Sequence, residues 1–147
     1  MIRNIVFDMG QVLIRWRPEE ILEHFDLTGQ EKTMLLQELF WSPEWTQQDR
    51  GILTEGEMIE RVSARLPESL HAAVEEVIKA WHVWHLTPMP GMAELVRRLK
   101  AQGYGIYLLS NASTALRGYF PRIPGSECFD GLMVSAEEKL LKPQHEI

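Results

Sequence analysis

The sequence predicts an α/β protein: a small parallel sheet whose strands are separated by helices, with one separation enlarged into a long helical insertion. Three observations predict it. Short apolar runs, Ile5-Val6-Phe7, Ile106-Tyr107-Leu108-Leu109 and Leu132-Met133-Val134, alternate with segments of helical period, the habit of strands buried on both faces of a parallel sheet. Each run ends in a polar residue, Asp8, Ser110 or Ser135, so polar groups gather at the carboxyl edge, where open α/β sheets bind ligands. Between the first two runs, residues 18 to 86 read as helix only, too long for an ordinary connection. The reading divides the chain into a core of residues 1–15 and 88–147 and an inserted helical subdomain of residues 16–87.

Composition narrows the class. The 147 residues suffice for one domain with a core, and 45% hydrophobic with 24% charged residues is ordinary for a soluble globular protein. A net charge of −6 excludes a general nucleic-acid binder. Cys128 is the single cysteine, so no internal disulfide forms, which fits a reducing cytoplasm. No apolar run reaches the length of a membrane span, and the N-terminus lacks a signal-peptide layout.

The elements follow in order. Residues 2 to 7 form the first strand, and Gly10 lets the chain turn after it. Pro18-Glu19-Glu20 opens a helix, with proline at the first position and acidic residues in the first turn, and Gly29 breaks it. Leu35, Leu36, Leu39 and Phe40 line a second helix that ends at Ser42-Pro43. Trp45 to Gly51 is polar around one Trp and reads as a loop or short turn. Thr54 with Glu57 forms a capping box for a third helix, stopped at Pro67. A fourth runs from about Glu68 to His85, giving a block of four helices. Thr87 to Gly91 is the hinge out of the block. An amphipathic helix over 92–102 turns Leu95 and Leu99 inward, then come the second strand, a short helix to about Tyr119, a Pro/Gly loop and the third strand.

Asp8, Ser110, Asn111 and Lys142 carry the chemistry. A carboxylate can act as a nucleophile, a hydroxyl and backbone N–H groups can hold an anion, and a lysine can neutralise both. Read alone, Asp8 is equally an ordinary turn residue at a strand end. His82 and His85 stand three apart on a helix, but a zinc site needs three or four ligands, so packing or a solvated face is the better reading.

Order and context make the set specific. The chain resembles the haloacid dehalogenase-like hydrolase superfamily, through Ile5-Val6-Phe7-Asp8-Met9-Gly10-Gln11-Val12-Leu13, Leu108-Leu109-Ser110-Asn111 and Val134-Ser135 through Lys142-Pro143. The nearest subgroup is that of the sugar-phosphatase-like members, similar also to the phosphatase domain of some epoxide hydrolases. Their first motif reads Asp-x-Gly, and their cap carries an acidic or polar residue beside Arg-Gly, as in Asp49-Arg50-Gly51. The resemblance implies a Rossmann-like core with a helical cap. It implies a phosphatase acting on a small phosphorylated metabolite such as a sugar phosphate. Asp8 would attack phosphorus and form an aspartyl-phosphate. Ser110 and the amide of Asn111 would bind phosphate oxygens, Lys142 would stabilise the charge, and Mg²⁺ would bridge Asp8, the Gly10 carbonyl and the phosphate. Trp16, Trp45 and Arg50 are candidate substrate contacts where cap meets core, with packing an equal reading for the two Trp.

Two departures qualify this. Most phosphatases of the superfamily carry a second Asp two residues after the nucleophile, where this chain has Gly10. The change implies a slow enzyme, a substrate with a good leaving group, or a proton donor from elsewhere. Metal-independent dehalogenases of the superfamily also lack that Asp and are the alternative enzyme class. The superfamily's fourth motif, an acidic pair supplying further Mg²⁺ ligands, is not found after Lys142. The expectation is therefore an interrupted chain with further strands missing, weak Mg²⁺ binding and little turnover. The third reading is a non-catalytic remnant acting by binding, with the first strand left as an apolar edge able to pair with another chain.

Overall fold

The computed structural model describes residues 2–147. Three strands form a parallel sheet in the order β1 (Asn4–Phe7), β2 (Gly105–Ser110), β3 (Gly131–Val134), with Phe7 beside Leu108 and Ser110 beside Val134. The α/β architecture with a helical insertion between β1 and β2 is as the sequence predicts.

The strands are not buried on both faces. Phe7, Ile106, Leu108 and Val134 are buried, and Phe7 meets Phe129 edge-on with ring centroids 5.9 Å apart. Their neighbours in sequence, Val6, Tyr107 and Met133, are exposed, Val6 by 58%. Alternate residues point to opposite faces, and among the described residues no helix covers the second face. The continuous apolar runs hide this, because Ile-Val-Phe reads the same whether one face is covered or two. β1 has one paired neighbour, so it is an edge strand of this sheet.

The insertion holds five α-helices, not four: α1 (Pro18–Leu22), α2 (Gly29–Leu35), α3 (Pro43–Asp49), α4 (Glu55–Ser63) and α5 (His71–Trp84). Residues Leu36–Phe40 continue α2 as a π-helical turn. Gly29 begins α2 rather than merely breaking α1, because Thr28 and Glu31 form a capping box there. The Thr54/Glu57 box opens α4 as expected. The segment expected to be a loop is α3. Ser42-Pro43 starts a helix instead of ending one: the Ser42 hydroxyl accepts the Trp45 N–H, and proline occupies the first turn, where its missing N–H costs nothing.

Core and insertion are clamped where the chain passes between them. Arg15 N–H donates to the Thr87 carbonyl at 2.8 Å, and Met89 N–H donates to Leu13 at 2.9 Å. After the hinge come α6 (Met92–Ala101), α7 (Leu116–Tyr119) and α8 (Ser135–Glu138). In α6 Val96 is the fully buried residue, with Leu99 packed beside it and Leu95 only partly buried. No described helix is long and apolar enough to cross a membrane.

Candidate active site

A cavity of about 220 Å³ opens between the carboxyl ends of β1 and β2 and the inserted helices. Asp8, Gly10, Ser110, Asn111 and Lys142 line its core wall, and Trp16, Trp45, Gln48, Asp49 and Trp81 line the opposite wall. Seven of the eight residues singled out from sequence thus meet in one place.

The core wall is built by turns immediately after the strands. Beyond Asp8 the chain coils tightly: the Met9 carbonyl accepts the N–H groups of Val12, Leu13 and Ile14, and Gln11 takes a left-handed backbone with φ 58°. The Gln11 amide clasps Trp16, donating to its carbonyl and accepting its N–H. Asp8 Oδ1 accepts the Met9 N–H at 2.7 Å and lies 2.8 Å from the Lys142 ammonium. Lys142 is aimed by a second bond, donated to the Leu109 carbonyl at 3.0 Å. The Asn111 side chain braces the same loop, accepting the Lys142 N–H at 2.8 Å and donating to the Lys142 carbonyl. Its amide side chain is therefore structural, which leaves its backbone N–H for an anion.

The opposite wall is aromatic. Trp16 meets Trp81 edge-on at 4.6 Å and Trp45 at 5.7 Å. Tyr119 lies 5.3 Å from Trp81 and stacks on His82 at 4.9 Å. The Tyr119 hydroxyl is pushed above the usual phenol range by burial and by Asp49. His82 stacks on Tyr119 and His85 is buried. Burial holds both below the usual imidazole range, and no group of three metal-ligating side chains occurs among the described residues.

Sequence reasoning misplaced Arg50 and underrated its neighbour. Arg50 does not line the cavity; its Nε donates to the Lys139 carbonyl at 3.3 Å. Asp49 takes the place at the site. Burial pushes its carboxyl up to about 7, against a smaller lowering by the Ser113 backbone N–H. Its carbonyl accepts the Ser135 hydroxyl at 2.5 Å, and the Lys139 ammonium reaches the Gly51 carbonyl at 2.8 Å. Gly51 has φ +71°, and a Cβ there would lie 2.0 Å from the Ala136 carbonyl oxygen. Residues 49–51 are thus latched to the loop after β3. Ser135, expected at the ligand edge, is a buried fastener that also accepts the Ala112 N–H at 2.9 Å. Asp49 was named only as part of the Asp49-Arg50-Gly51 cap motif, because the helix that delivers it to the site was read as a loop.

Comparison with solved structures identifies the fold. A HAD family enzyme from Bacteroides thetaiotaomicron, in complex with magnesium and inorganic phosphate, matches 99% of this chain and 75% of its own at 22% identity, with TM-score 0.66. A predicted HAD-like family hydrolase from Porphyromonas gingivalis matches 99% of this chain and 72% of its own at 22% identity, with TM-score 0.68. The chain has the haloacid dehalogenase-like fold. L-2-haloacid dehalogenase from Xanthobacter autotrophicus shares it as well, at 18% identity and TM-score 0.59 over 98% of this chain and 61% of its own. No family model and no curated protein matches the sequence.

Proposed function

We propose that the protein is a hydrolase of the haloacid dehalogenase-like superfamily that removes the phosphoryl group from a small phosphomonoester, such as a sugar phosphate, through an aspartyl-phosphate on Asp8. The observation that supports this most is the Asp8–Lys142 pair, 2.8 Å apart, in one cavity with Ser110 and Asn111. Oδ1 is engaged by Met9 and Lys142, which leaves Oδ2 to attack phosphorus as the ester oxygen departs. Water then attacks the same phosphorus and frees Asp8. Ser110 and the Asn111 N–H hold the phosphate oxygens, and Lys142 offsets the charge of the attacking and transferring groups. The cavity is small beside the roughly 300–1,000 Å³ of drug-sized sites, which favours a small metabolite.

A Mg²⁺ ion fits these donors. It commonly binds through one or two carboxylates plus substrate phosphate and water, and Asp8 supplies a carboxylate. The Gly10 carbonyl is the second donor. The bridge between residues 10 and 14 uses the Ile14 N–H to Met9 and the Gln11 N–H to Ile14, and so leaves that carbonyl out. When bound, the ion would neutralise and orient the phosphate.

The test is phosphate release from an aryl phosphate with and without Mg²⁺. Metal-dependent release is expected, falling by on the order of 10⁴-fold or more in Asp8→Asn, as for other covalent nucleophiles. Metal-independent halide release from a 2-haloacid, with no phosphate release, would sink the reading in favour of a dehalogenase.

A further inference from the structure

We propose that Asp49 is the residue that carries the proton in this site, doing from the inserted helices what position 10 cannot do with a glycine. The proposal rests on the phosphatase reading above.

Geometry carries it. Asp49 ends α3 on the wall facing Asp8 and lines the same cavity as Ser110 and Lys142. It is fixed from the core side by the bond its backbone carbonyl accepts from the Ser135 hydroxyl, so its position depends on the parts that also hold the phosphate end of the site. It makes no ion pair among the described residues, so it is not spent on a structural salt bridge. The charged and titratable groups around it are Asp8 and Lys142 on the core wall, Tyr119 on α7, and Arg50 and Lys139 at the latch. Lys142 is engaged with Asp8, Lys139 with Gly51, and Arg50 with the Lys139 carbonyl. A partly buried carboxyl beside aromatic rings and without a cation stays protonated to higher pH. Its value of about 7 is where an acid–base residue works best at neutral pH.

The chemistry balances in two steps. As Asp8 Oδ2 bonds to phosphorus and the ester oxygen leaves, the Asp49 carboxyl gives its proton to that oxygen, and the alcohol departs neutral. As water attacks the aspartyl-phosphate, the Asp49 carboxylate takes a proton from it, the Asp8–phosphorus bond breaks, and inorganic phosphate forms. Asp49 ends protonated, ready for the next ester.

The experiment compares an alkyl phosphate, such as glycerol phosphate, with p-nitrophenyl phosphate, whose leaving group needs no proton, using the 147-residue chain with Mg²⁺. Asp49→Asn is expected to lower kcat/KM for the alkyl ester by about 10²–10⁴-fold, and for the aryl ester by less than about 10-fold. Gly10→Asp in the Asp49→Asn background is expected to restore alkyl turnover. Gly10 has no positive φ, and the nearest atom to a Cβ there is Trp16 Cβ at 3.9 Å, so a side chain fits. In the wild type, the alkyl-to-aryl rate ratio, each rate taken per dianion from the separately measured second ionisation of its own phosphate, should fall as pH rises through about 7. This readout decides the matter even if Asp49→Asn folds poorly. Equal losses on both esters, no loss on either, or a ratio flat in pH would overturn the role of Asp49 while leaving the phosphatase standing. A wild type that releases phosphate from neither ester would overturn both.

Discussion

The two walls of the cavity each present a carboxyl group, and they present it differently. Asp8 on the core wall is about half exposed and has an ammonium 2.8 Å away. Asp49 on the inserted wall is partly buried, has no ion pair among the described residues, and is pushed up to about 7 by burial. One environment suits a standing negative charge; the other suits a proton that comes and goes. Two carboxyls set apart by their surroundings can divide nucleophile and acid–base work between them. The lesson is that the acid–base function of a site need not sit next to its nucleophile in sequence. In the proposed role Asp49 sits 41 residues away, at the end of an element whose residues 49–51 are latched to the core.

The sharpest way to break the comparison is to remove the ammonium. Lys142→Met keeps the stem and drops the charge. Turnover is expected to fall by about 10²–10³-fold, the usual cost of one preorganised electrostatic contact to a reacting group. Stability should change by no more than about 1 kcal/mol, because the pair is open to solvent and such pairs contribute little to folding. Steady-state kinetics beside a urea titration separates the two. A loss of stability with unchanged turnover would show that the pair is structural only.

The second prediction attacks the latch. In Gly51→Ala the new Cβ would meet a backbone carbonyl at 2.0 Å with φ at +71°, and no flexible side chain is there to yield. The residues must move, at a cost of roughly 2–4 kcal/mol. Segment 49–51 should detach from Ser135 and Lys139, with faster amide exchange at residues 49–53 and a lower urea midpoint. An unchanged midpoint and unchanged exchange would mean that the latch does not hold segment 49–51 in place.

The core wall was legible in sequence and the inserted wall only in part, Trp16 and Trp45 but not Asp49, for a physical reason. Asp8, Ser110 and Lys142 each follow a strand or its loop by a few residues, so local pattern places them, and the parallel register brings the strand ends together without further information. Asp49 is placed by three things that local pattern does not carry: a helix opened by Ser42-Pro43, a glycine at positive φ, and hydrogen bonds to residues more than 80 positions away. Arg50 illustrates the converse. A basic residue one position from the site looked like an anion contact, yet the end of α3 turns it to the Lys139 carbonyl. The same limit applied to the sheet, where Val6, Tyr107 and Met133 sat in runs that looked buried and proved exposed.

The smallest expected effect is the pH dependence of stability, and it tests the environment of Asp49 without any substrate. Its folded pKa of about 7 lies above the ordinary 3.8. Between those values the folded chain binds more protons at this residue than the unfolded chain does. Stability from this group is therefore present in full at low pH and is lost as pH rises towards 7, beyond which its contribution is flat. Asp49→Asn has no such titration. The variant should gain on the wild type by on the order of 1–3 kcal/mol between pH 4 and pH 8, read as the difference in urea midpoints at the two pH values. Other titrating groups are common to both proteins and cancel in that difference, apart from Tyr119, which titrates above this window. A difference that stays constant across the window would mean that Asp49 is hydrated in solution like any surface carboxylate, and the contrast between the two walls would go with it.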